Sequence, residues 1–195
     1  MNLPARLAGL SLLVLAGPLH AQNLLDNPDF DINLHHWIGP AGAATWHSSD
    51  LDDAPDSGSA RLVNDQAGSE TETVALLQCF PVAPGEYQYG GHAFIPQAQA
   101  ASGSVVVRVR GYGASTDCSG GTFLISGRLA SETGQWSPMS GEITISEDQL
   151  SGPAGSIEFE FAIRKTEAGG EFVGFVDAAR FGRSPRIFTD RFASP

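Results

Sequence analysis

Between Ser156 and Lys165 the chain alternates: Ile157, Phe159, Phe161 and Ile163 take every second place, with Glu158, Glu160, Ala162 and Arg164 between them. Successive side chains of a strand point to opposite faces. The segment therefore reads as a β-strand with four large apolar groups on one side and a solvated, charged stripe on the other. Such a strand must bury its apolar face against a second layer. The same period recurs: Val105, Val107 and Val109 alternate with Val106, Arg108 and Arg110, and Ile143 and Ile145 do so in GEITIS. Val74, Leu76, Gln78 and Phe80 form a run ended by Pro81 and a Pro84-Gly85 turn. Tyr87 to Ile95 follows, ended by Pro96, and Phe172 to Phe181 is the last strong strand. Turn-rich stretches at 40–43, 50–58, 65–69, 97–103 and 115–121 separate these runs, in a chain with 23 Gly and 12 Pro. No long stretch has helical period. The pattern predicts an all-β sandwich or barrel, one domain over 22–182, with a C-terminal extension at 183–195.

The first 21 residues, MNLPARLAGLSLLVLAGPLHA, read as an export signal. Arg6 gives a basic start. Leu7 to Ala16 is an apolar run broken only by Gly9 and Ser11, and Leu19-His20-Ala21 supplies a cleavage site. The run is too short for a membrane helix of roughly 20 residues, and no later segment could span a bilayer. A secreted, periplasmic or cell-surface product follows. In an oxidising compartment the two cysteines, Cys79 and Cys118, are expected to pair. The bridge would close a loop of about 39 residues, worth about 4 kcal/mol in the chain-entropy treatment. A formal net charge of -11 repels phosphate backbones and argues against nucleic acid as a partner.

Four segments, taken in order, point to a family. Asn23 to Trp37 reads NLLDNPDFDINLHHW: Asn23, Leu24, Leu25, Asn27, Pro28, Phe30 and Trp37 fall on the pattern N-L-(L/I)-x-N-(P/G)-x-F-E, spacer, W, with Asp31 where Glu is usual. DSGSARL at Asp56 to Leu62 is similar to an SGS strand start, and QCFPVAPGEYQY at Gln78 to Tyr89 to a Q-x-hydrophobic-x-V-x-P-G-x-x-Y strand pair. FVGFVDAARF at Phe172 to Phe181 resembles a closing aromatic-x-x-D-D-hydrophobic strand; Asp177 matches the first acid and Ala178 replaces the second. Together they resemble the carbohydrate-binding modules of the family 4/9/22 type. That resemblance implies a single jelly-roll β-sandwich. It also implies a structural calcium where the chain ends meet, with Asp31 and Asp177 as metal ligands and loop carbonyls near Ser57 to Ser59 completing an oxygen shell. The alternative is an Asp31 that caps a turn and an Asp177 hydrogen-bonded at a strand end.

Sugar recognition needs flat rings with polar groups beside them. Trp46, in ATWHSSD, and Tyr112, between Gly111 and Gly113, are the ligand-binding candidates, with Gln88, His47 and Arg110 as polar neighbours. Trp37 and Trp136 stand where the resemblance puts core tryptophans. No catalytic residue is assigned: there is no G-x-S-x-G, no H-E-x-x-H and no phosphate-binding glycine loop. Glu158 and Glu160 read as part of a solvated charge stripe rather than an acid pair. The expected function is non-catalytic binding of extracellular carbohydrate. The alternative is a secreted cell-surface or matrix domain that binds protein and no sugar.

Overall fold

A computed structural model describes residues 22–53, 57–150 and 154–184. The expected export signal and all but the first two residues of the expected extension lie outside the described residues. Nine strands run β1 (Ala44–His47), β2 (Ser59–Asn64), β3 (Thr71–Val82), β4 (Gly85–Phe94), β5 (Gly103–Tyr112), β6 (Thr122–Ala130), β7 (Trp136–Ile145), β8 (Gly155–Lys165) and β9 (Phe172–Arg183). They form two antiparallel sheets, one of five strands in the order β1-β2-β9-β4-β7 and one of four in the order β3-β8-β5-β6. The architecture is a jelly-roll β-sandwich.

The alternating segment is β8, interior to the four-stranded sheet. Ile157, Phe159, Phe161 and Ile163 are all 0% exposed, as are Val105, Val107 and Val109 of the neighbouring β5. At about 2 kcal/mol per buried large side chain, the four groups on β8 alone contribute about as much as a whole domain's net stability. Trp37 closes one end of this core, with its ring 5.9 Å from Phe159 and 5.8 Å from Phe161. Tyr87 and Phe181 stack at 5.1 Å within the five-stranded sheet. The sheets approach so closely that a Cβ on Gly174 would lie 2.4 Å from Val105 Cγ2.

The other face of β8 departs from expectation. Glu160 is 1% exposed rather than solvated. Arg108 and Arg110, from the adjacent β5, reach it at 2.9 and 3.3 Å. Burial raises the Glu160 carboxyl, and the two guanidiniums oppose that rise. Arg108, opposite Glu160 on β5, and Arg110, two places along, are what let a carboxylate sit under cover in mid-sheet. Pro81, expected to end its strand, lies inside β3. This is tolerated because β3 is a sheet edge, where one side of the strand needs no ladder hydrogen bonds.

The two ends of the described chain meet. β2 pairs with the first half of β9, over Phe172 to Val176. Beyond it that side of β9 is open, and the N-terminal segment fills it. Leu24 N–H donates to Phe181 O (2.7 Å), Ala179 N–H to Pro28 O (2.9 Å), and the Asn23 side chain bonds Phe181 N–H and Ala179 O. Cys79 and Cys118 form a disulfide, Cα to Cα 6.0 Å, that ties β3 to the segment after β5. Among the described residues no helix is long and apolar enough to cross a membrane.

Candidate functional site

The outer face of the five-stranded sheet carries the chain's most organised set of surface rings. Phe94 on β4 stands in register between Phe175 on β9 and Trp136 on β7. Its ring lies 5.7 Å from Trp136 and 6.1 Å from Phe175, and His47 meets Phe175 at 5.0 Å. Cross-strand pairs of this kind fix ring positions without loops. All three phenyl and indole rings are half-buried. They line a cavity of about 380 Å³ together with Pro96, His47, Ser49, Asp50 and Asp53. Apolar ring faces thus adjoin carboxylates and an imidazole.

Along β4 the same face becomes polar. Gln88, Ser140, Gly141, Glu142, Arg128 and Arg180 line a second cavity of about 360 Å³. His92 lies between the two along the strand, paired in register with Pro138 of β7 and Asp177 of β9. Its Nδ1 is buried without a hydrogen-bond partner among the described residues. Burial, and then the Arg180 charge, hold the imidazole below its ordinary pKa against an opposing contribution from Asp52. His92 is therefore neutral at pH 7, with one ring nitrogen able to accept. The outer face thus carries an aromatic recess at one end and a charged recess at the other, with His92 between them; the face from one recess to the other is the trough.

The structure does not bring the two expected ring candidates together. Trp46 is 38% exposed, but its indole N–H donates to Phe30 O at 2.6 Å and its ring lies against Gly58. It points to the opposite side of β1 from His47, away from the trough. Tyr112 is buried, not exposed, and its hydroxyl donates to Glu158 Oε1 at 3.4 Å within the four-stranded sheet, away from the trough. Trp37 is in the core as expected. Trp136 is not: it opens β7 one position out of phase with the buried Ser137, Met139, Gly141, Ile143 and Ile145. The alternation recognised at Ile143 and Ile145, carried back to position 136, was the signal that puts this ring outside. His47 and Gln88, expected as polar neighbours, do line the trough, and Arg110 belongs to the Glu160 cluster instead.

Asp177 sits on a β-bulge. The β4–β9 register shifts between Gly90 and His92, and Ala178 adopts the left-handed φ of 49°. The bulge turns the Asp177 carboxylate under cover, where it accepts from Leu51 N–H (2.9 Å) and Ala178 N–H (2.6 Å). Burial raises its pKa to about 6, with the charges of Asp50 and Asp29 adding to the rise. Asp31 is exposed and acts on Asp29 rather than on Asp177. Among the described residues no three His, Cys, Asp or Glu side chains stand together as a metal site.

Comparison with known proteins bears on the fold. No family model matches the chain, and no curated protein matches it. Solved structures do. A family 61 carbohydrate-binding module in complex with β-1,4-galactotriose is 18% identical, covers 84% of this chain and 100% of its own, and superposes with a TM-score of 0.54. The sandwich has the fold of the β-sandwich carbohydrate-binding modules. An arabinose-bound GH51 α-L-arabinofuranosidase matches at 16% identity, 86% of this chain and TM-score 0.55. CBM22-GH10 modules of a Clostridium thermocellum endo-1,4-β-D-xylanase, complexed with xylohexaose, match at 12%, 81% and 0.50. This chain spans only 27% and 28% of those two chains, so the likeness is to a part of each.

Proposed function

We propose that this chain is a non-catalytic, exported carbohydrate-binding domain and that its site is the trough on the outer face of the five-stranded sheet. The observation that carries the proposal is the in-register row Phe175, Phe94 and Trp136 beside Asp50, Asp53 and His47. Pyranose rings present apolar faces and equatorial hydroxyls. Half-buried aromatics adjoining acceptors match both. The shared fold with sugar-complexed modules supports the reading. The disulfide supports an oxidising location, consistent with removal of residues 1–21 on export. The structural calcium expected at Asp31 and Asp177, with loop carbonyls completing its oxygen shell, belongs to the same proposal. It would act as a structural ion and favour the charged form of the buried Asp177 carboxyl. The test is a glycan array on the purified protein with a Trp136→Ala control. Selective binding that falls at least about tenfold in the variant, the scale of losing one stacked ring, supports the site. No binding by the folded protein overturns it and leaves the protein-interaction reading.

A further inference from the structure

The basic side chains of this acidic chain are few, and most are committed within the fold. Arg61, Arg108, Arg110 and Arg164 are ion-paired with glutamates. Lys165 is buried on the carbonyls of Gln66 and Gly170. Arg183 donates to Pro84 O at 3.2 Å and lies over the Tyr87 ring. Among the described residues two guanidiniums remain. Arg128 donates to the carbonyl of its own neighbour Gly127 (2.8 Å), and Arg180 makes no hydrogen bond or ion pair among the described residues.

These two converge. Arg180 comes from β9 of the five-stranded sheet and Arg128 from β6 of the other, and both line the polar cavity of the trough. Gly90, the register partner of Arg180, leaves the floor beside that guanidinium flat. A Cβ there would come within 2.2 Å of Met139 O, so no larger residue fits. One carboxylate shares the lining, Glu142, which accepts from Gln88 Nε2 at 3.0 Å. The recess therefore holds two cations against one anion on a molecule of net charge -11. Guanidinium forks match planar or tetrahedral oxyanions, and a local field of opposite sign to the whole selects for them.

We propose that this end of the trough receives the anionic group of an acidic saccharide, a uronate carboxylate or a sulfate ester, while a neighbouring sugar stacks at the Trp136 end. The inference rests on the carbohydrate reading of the trough and specifies its ligand class. Gly90 and Phe94 are four residues apart on one strand, roughly 13 Å, so a ligand that touches both ends is an oligosaccharide.

The test is an array of neutral, uronate-bearing and sulfated oligosaccharides on the full chain, followed by calorimetry on the best ligand and its uncharged counterpart, methyl-esterified or desulfated. The expected best ligand is anionic and at least about tenfold tighter than its counterpart. Arg128→Gln and Arg180→Gln each remove about tenfold of that affinity, the loss of one charge-assisted hydrogen bond. The uronate and sulfate arms distinguish the two sources of the anion. Both arginines are exposed, so both variants fold. A preference for neutral glycans that still requires Trp136 overturns the acidic-saccharide inference and leaves the trough as the sugar site. Equal weakening by Arg164→Gln, on the other sheet, reveals adsorption of a polyanion and also overturns it. Absence of any glycan ligand overturns both.

Discussion

Trp46 has a structural task that its exposure conceals. Its indole N–H satisfies the carbonyl of Phe30, itself in the left-handed region at φ 48°, so the ring holds the N-terminal segment against β1. Trp46→Phe keeps an aromatic ring and loses the hydrogen bond. Urea unfolding should register a loss of about 1 kcal/mol, with glycan affinity unchanged. Asp177 makes a prediction about pH. A carboxyl whose folded pKa of about 6 exceeds its unfolded value, about 3.9, binds its proton more tightly in the folded state. Its contribution is full below the unfolded value and is lost as pH rises through about 6. With chelator present, the melting temperature of Asp177→Asn should therefore gain on wild type between pH 4 and pH 7. Saturating calcium at pH 7 should raise the wild type alone. A difference that stays flat with pH would refute the first expectation, and equal calcium responses would refute the second.

At the scale of elements, what was legible followed from period. The alternations at Ile157 to Ile163, Val105 to Val109 and Phe172 to Phe181 each became a buried strand face. β6 was not legible: as an edge strand it leaves Ile125 and Leu129 65% and 62% exposed, so its apolar residues mark no single face. β1 has four residues, too few for a period. The trough was hidden for a different reason. Its rings lie on β4, β7 and β9, far apart in sequence, and only cross-strand register makes them neighbours. The burial of Glu160 was equally invisible, because the arginines that make it tolerable come from another strand. The cysteine pair was legible from compartment alone. Replacing Cys79 and Cys118 together by Ser should cost about 4 kcal/mol in urea unfolding, since the bridge closes a separation of 39 residues. A much smaller cost would mean that the loop is held by its own contacts, such as Cys118 N–H on Ser156 Oγ at 2.9 Å.

The whole molecule is a sandwich whose two sheets carry different burdens. The four-stranded sheet holds the Glu160 network and the disulfide, whereas the outer face of the five-stranded sheet holds the trough. Deleting residues 22–30 should abolish the cooperative thermal transition, although these residues form none of the nine strands. Pro28 and Leu24 complete the ladder of β9, and Phe30 is 0% exposed beside Trp37. A truncated protein that melts cooperatively near the wild-type temperature would show that segment to be decoration.

β9, the last of the nine described strands, lies in the middle of its sheet, hydrogen-bonded to β2 on one side and β4 on the other. A ribosome or a secretion channel delivers the chain from the N-terminus. Until position 183 has emerged, β1 and β2 have no partner joining them to β4 and β7, and the segment at 23–28 has nothing to dock on. The domain cannot close in stages during synthesis. It waits, with its apolar faces uncovered, for β9, which would suit the proposed export, in which a chain crosses a membrane before it folds.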